Sequence, residues 1–148
     1  MKKFIITAFI AVALTTSAFA DPTNVSYRVL DHFNTDFREA ENISWTLSSK
    51  FAKANFDLNG KRMEAFYNLD GELIGSSFSI DYDKLPKKAI TEISKKYPFP
   101  PYKLKECIEF TNGEGEKSYY TSFDTEKELV VVQINLFGNL NEIRKILK

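Results

Sequence analysis

The chain carries an internal duplication. Displaced by 67 residues, Phe56 falls on Phe123, Asp57 on Asp124, Asn68 on Asn135, Leu69 on Leu136, Gly71 on Gly138 and Leu73 on Leu140. These six identities lie within 21 residues, where ordinary composition supplies roughly one or two. The alternating apolar positions between them agree as well, with Met63, Ala65 and Tyr67 meeting Val130, Val132 and Ile134. A fold built from two copies of one unit is therefore expected.

Periodicity says what that unit is. Asn24 can cap a helix, and Val25, Val29, Phe33 and Phe37, with Leu30 alongside, form one apolar face of a helix running to about Phe37. The period then changes to two. Ile43, Trp45 and Leu47 alternate with Ser44, Thr46 and Ser48, and Ala52, Ala54 and Phe56 repeat the alternation. Asn59-Gly60 is a favoured two-residue hairpin turn. Met63, Ala65 and Tyr67 lie on the returning strand, which ends at Asp70-Gly71, and Leu73 to Tyr82 reads as a fourth strand.

The order then recurs. Leu85-Pro86 opens a helix bearing Ala89, Ile90, Ile93 and Tyr97 on one side, with Pro where its missing N–H costs nothing. Pro98, Pro100 and Pro101 end that helix. Strands follow through Leu104, Ile108 and Phe110, through Tyr119, Thr121 and Phe123, through Val130, Val132 and Ile134, and from Leu140 onward. The fold class is α+β: two tandem helix-plus-four-strand repeats, 24–82 and 83–148, forming one antiparallel sheet within a single domain spanning 21–148.

The ends and the charge bound the compartment. Lys2 and Lys3, an apolar run from Phe4 to Leu14, and Ala18-Phe19-Ala20 have the order of a cleavable export signal, with cleavage expected after Ala20. The apolar run is too short for a permanent bilayer span, so no stable membrane insertion is expected after cleavage, and the expected location is the periplasm or the exterior. The remaining chain holds eighteen basic and twenty acidic residues, a balance with no general attraction for nucleic acid. Cys107 is the single cysteine, so an intramolecular disulfide is ruled out and stability must come from the core; of thirteen Phe and seven Tyr, Phe4, Phe9 and Phe19 lie in the signal, which leaves ten Phe and all seven Tyr for it.

The helix ending in an aromatic, the strand carrying Trp45, the run Phe51-Ala52-Lys53-Ala54-Asn55-Phe56 and the segment Asn68-Leu69-Asp70-Gly71-Glu72-Leu73-Ile74 together resemble the PepSY-like periplasmic proteins of Bacteroidetes. Leu85-Pro86 followed by a helix fits the start of that family's second unit. The resemblance covers nearly all of the chain after the signal. It implies a fold similar to β-lactamase inhibitory protein, one curved antiparallel sheet with helices on one face, and a role tied by analogy to peptidase inhibition. The chain departs from the pattern in its second unit, where Phe137 stands at the place of Asp70 and the loop at Pro98 to Pro101 is longer.

Catalytic chemistry is not evident. His32 is the sole histidine, which leaves zinc without its usual ligands and a Ser-His-Asp triad without a marked nucleophile. Asn68, Asp70 and Gly71 lack the acidic spacing of a calcium loop, and Gly113-Glu114-Gly115 lacks the context of a phosphate cradle, so both read as hairpin turns. No cofactor is expected. Asn24-Val25-Ser26 and Asn42-Ile43-Ser44 match a glycosylation pattern by chance.

If Ala52, Ala54, Phe56, Met63, Ala65 and Tyr67 face the helix, alternation sends Phe51, Lys53, Asn55, Glu64 and Phe66 to the other face, and in the second repeat Tyr120, Leu129 and Val131. A sheet covered on one side should be mostly polar on the other. Here the second face is aromatic and aliphatic, as interaction sites are. The sequence thus points to a non-catalytic binding protein that meets a periplasmic protein or peptide through an open face formed by Phe51, Lys53, Phe66, Tyr120, Leu129 and Val131, with inhibition of a secreted peptidase or other hydrolase as one use of it. The competing expectations are a small carboxylate-dependent hydrolase, which would show paired acids in a deep pocket, and a structural envelope component. The sequence sets no oligomeric state.

Overall fold

The structure, a computed structural model, describes residues 24–148. The export signal read at 1–20 and its cleavage point lie outside the described residues. The elements run α1 (Tyr27–Asp36), β1 (Glu41–Leu47), β2 (Phe51–Leu58), β3 (Lys61–Asn68), β4 (Leu73–Ser79), α2 (Lys87–Lys96), β5 (Lys103–Asn112), β6 (Lys117–Asp124), β7 (Glu128–Ile134) and β8 (Leu140–Leu147). The helix-plus-four-strand order occurs twice, as the duplication predicts. The eight strands form one sheet in sequence order, and neighbouring strands from β1 to β4 and from β6 to β8 run antiparallel. The α+β class is as expected.

Two compact units emerge. The first holds 24–78 together with Thr111–Gly115, and the second holds Ser79–Phe110 and Glu116–Lys148.

In the first unit, Val25, Val29 and Phe33 of the helical segment bury against Trp45, Ala52, Ala54, Phe56, Ala65 and Tyr67. Phe33 is the hub. Its ring meets those of Trp45, Phe56 and Tyr67 edge-on at 5.1, 5.1 and 6.3 Å, the geometry that sets a positive ring edge against a negative face. The helix starts two residues later than the sequence suggests, because Ser26 rather than Asn24 is the cap and its Oγ accepts from the Val29 N–H at 3.3 Å.

In the second unit, Leu85, Ala89, Ile93 and Tyr97 bury against Cys107, Phe123, Val130, Val132 and Ile134. Tyr97 stacks on Phe123 at 4.8 Å. The fourth strand ends at Ser79 rather than Tyr82, since Tyr82–Lys84 form a short 3-10 turn that leads into Leu85 and Pro86.

The shared turn explains the strongest identities. Asn68 Oδ1 accepts from the N–H groups of Asp70 and Glu72 at 3.0 and 2.9 Å, and Asn135 Oδ1 accepts from those of Phe137 and Asn139, both at 3.0 Å. Gly71 and Gly138 take φ of +90° and +77°, a region that disfavours any Cβ. Each also lies against the start of its own helix. A Cβ on Gly71 would come within 2.9 Å of Arg28 Cγ, and one on Gly138 within 2.9 Å of the Ala89 backbone N. The Asn-Leu-x-Gly signature is therefore a docking joint between a hairpin and the first turn of a helix.

Candidate binding face

The register fixes which side chains share the face turned away from each helix. In the first unit Lys53 lies opposite Phe66 and Asn55 opposite Glu64; Phe51 and Phe66 belong to no part of the helix-side core. Lys53 Nζ reaches diagonally to Glu64 Oε1 at 3.0 Å. Phe51 and Phe66 meet edge-on at 6.2 Å. In the second unit Tyr120 lies opposite Gln133 and Ser122 opposite Val131, with Leu129 one pair further along. Gln133 Nε2 donates to Tyr120 Oη at 2.9 Å, and Phe110 meets the Tyr120 ring edge-on at 6.1 Å.

The expectation that this face stands open to solvent is not met. Phe51 is 6% exposed, Phe66 3%, Tyr120 2%, Leu129 8% and Val131 2%. Lys53 keeps 12% of its side chain accessible. Part of the enclosure is cross-strand, since neighbouring rings and the Lys53–Glu64 pair cover one another. As a result Ala65, Phe66 and Tyr67 are buried in succession, as are Tyr120 to Phe123 and Leu129 to Val132. The middle strands of each unit are dry on both sides.

Enclosure sets the chemistry. Burial pushes the Tyr120 phenol above its ordinary value, so it stays protonated. Ser122 Oγ is buried on this face without a hydrogen-bond partner, where a hydroxyl costs on the order of 1–3 kcal/mol. On the helix side, burial likewise raises the Cys107 thiol, which donates to Thr121 Oγ1 at 3.6 Å; the group is held as a neutral thiol rather than a nucleophile. His32 sits on the exposed side of α1, its Nδ1 2.5 Å from the Gly71 carbonyl oxygen, in a contact that ties the helix to the Asn68 turn. Asp70 and Gly71 lie in that turn, and Gly113 to Gly115 lie in the β5–β6 turn. Among the described residues no three His, Cys, Asp or Glu side chains are grouped as a metal ion would require, and no helix is long and apolar enough to cross a membrane.

Phe110, Ser122 and Gln133 belong to this face and were not singled out in the sequence. Phe110 could have been found, because it alternates with Cys107 along β5 and so projects to the side of Tyr120.

No protein-family model matches the chain, and no curated protein matches its sequence. Solved structures match its shape. A BLIP-like protein from Bacteroides fragilis superimposes with a TM-score of 0.70 at 13% identity, covering 88% of this chain and 91% of its own. A DUF2874 family protein from Bacteroides ovatus gives 0.70 at 13%, covering 86% and 89%. A protein from Bacteroides eggerthii, provisionally described as periplasmic, gives 0.69 at 13%, covering 83% and 88%. At such identities the likeness is one of fold, and the fold is BLIP-like.

Proposed function

We propose that this chain is an exported, non-catalytic binding protein of the periplasm, and that its partner is a protein or peptide recognised through the sheet face turned away from each helix. The observation that carries the reading is the composition of that face. Phe51, Phe66, Phe110, Tyr120, Leu129 and Val131 occupy it and are buried, a concentration of rings and aliphatic groups like that at the buried centre of protein interfaces. A partner using it must take the place of whatever now encloses these rings. Export is supported by the basic, apolar and A-x-A order of residues 1–20 and by the provisional periplasmic description of the Bacteroides eggerthii relative. Inhibition of a secreted hydrolase is the finer form of the proposal, and the name of the BLIP-like relative supports it.

The test is a peptide-array binding screen with the purified protein, repeated with a Phe66→Leu and Tyr120→Leu double variant whose fold is checked by circular dichroism. Peptides bound by the parent should be lost or weakened about tenfold or more in the variant, as expected when ring contacts at the centre of an interface are removed. Equal binding by both proteins would place recognition elsewhere.

A further inference from the structure

β8 is the last strand of the sheet order, so its outer row of backbone groups is unpaired by any other strand among the described residues. Such an edge invites another strand unless something blocks it. β8 is well exposed along its length, and Leu147 is 79% accessible. It also contains an extra residue. Val131 pairs with Arg144 and Val132 with Glu142, which leaves Ile143 as a bulge.

The bulge gives the edge an unusual symmetry. Through their β7 partners Ile134, Val132, Val130 and Glu128, the residues Leu140, Glu142, Lys145 and Leu147 all lie on the helix side. That set is mirrored about the point between Ile143 and Arg144. A regular strand laid along β8 would fall out of step at Ile143, so the bulge rejects strands in general. A strand with the same bulge, run antiparallel, stays in step. In that register Glu142 faces a Lys, Lys145 faces a Glu, and each terminal Leu faces a Leu. β1, at the opposite end of the order, carries Glu41 as its single charged residue and has no such pairing to offer.

We propose that β8 pairs antiparallel with β8 of a second copy of this chain, Glu142 opposite Lys145 and Leu140 opposite Leu147 in both directions. The contact is two-fold and closes on itself, which gives a dimer rather than a filament. Lys145 already lies 3.6 Å from both Glu142 and Glu128, so its ammonium is held near the position the pairing needs. A single strand pair buries little area, and the dimer should be reversible and concentration-dependent.

The experiment is sedimentation velocity over a concentration series on the parent protein, Lys145→Glu, and the Glu142→Lys and Lys145→Glu double variant. The parent should show a monomer–dimer equilibrium. Lys145→Glu turns two attractive cross-strand pairs repulsive and should weaken dimerisation by about tenfold, and the double variant should recover to within about threefold of the parent. A parent that stays monomeric, a single variant as associated as the parent, a double variant no better than the single, or assembly beyond dimer would each overturn the proposal. Hydrogen exchange on the parent decides the matter if a variant fails to fold. Amides of 140–147 should gain protection as concentration rises, and exchange independent of concentration rejects the edge contact.

Discussion

The two repeats fill the same plan with different side chains. In the first, Phe33 of the helix lies among Ala52, Ala54 and Ala65 as well as the rings of Trp45, Phe56 and Tyr67 on the strands. In the second, the helix offers Ala89 and Ile93 where the first has Val29 and Phe33, and the strands supply Val130, Val132 and Ile134. Interiors are packed to crystal-like density, so a large side chain such as Phe33 requires small ones beside it. The comparison teaches that the duplicated object is a filled space and a backbone, and that the individual side chains filling it can differ.

Substitutions can break this comparison or sharpen it. The largest effect should follow Phe33→Ala, which removes a ring in contact with four others; about 3–5 kcal/mol is expected. Ile93→Ala, at the matching helix position, should cost about 2–5 kcal/mol, and chemical denaturation of both variants should rank Phe33→Ala first. Equal losses would mean that Phe33 is no more central to its core than Ile93 is to its own.

Next come the two docking glycines. Both have left-handed backbone, so Gly71→Ala and Gly138→Ala should each lose about 1–2 kcal/mol. Gly138→Ala should lose more, by about 1–3 kcal/mol for overpacking, because the nearest atom to its new Cβ is the Ala89 backbone N, while Gly71 meets first the flexible Arg28 side chain. Thermal unfolding of the pair checks the order.

The smallest effect is a titration. Tyr67 donates to Asp36 and Tyr97 donates to Glu142, both at 2.9 Å. Burial first, and then the carboxylate beside each, raises both phenols above the ordinary value of 10.0. A phenol that keeps its proton in the folded state contributes stability that is fully present below the unfolded value and is lost as pH rises toward the folded one. Stability should therefore fall as pH climbs above about 10, and Tyr67→Phe and Tyr97→Phe should each flatten that fall. Tyr67 is the more deeply buried of the two, so its variant should flatten the curve more.

Much of the fold was legible in the chain. The change of period from about four to two marks where α1 gives way to β1, and Asn59-Gly60 and the Asn68 and Asn135 turns punctuate the strands where expected. The helix start was misplaced because Asn24 and Ser26 are equally good caps as residue types, and only the position of the Val29 N–H distinguishes them. The extent of β4 was overread because Ile80 and Tyr82 continue an apolar alternation that the 3-10 turn interrupts. For the candidate face, alternation correctly separates Lys53 and Phe66 from Ala54 and Ala65. It cannot report what covers a face, since solvent exposure depends on atoms remote in sequence. Hence the dryness of Phe66 and Tyr120 emerged only in three dimensions.

The repeats are less separable than their sequence symmetry suggests. The tip of the β5–β6 hairpin, Thr111–Gly115, belongs to the first compact unit, and the Gly113 N–H donates to the Ile74 carbonyl at 2.9 Å. A chain severed after Phe78 would leave that carbonyl without its donor and remove five residues from the body it belongs to. The amino-terminal half thus depends for its own completion on a stretch synthesised more than thirty residues later, and a gene fragment coding for one copy of the unit does not code for one finished unit.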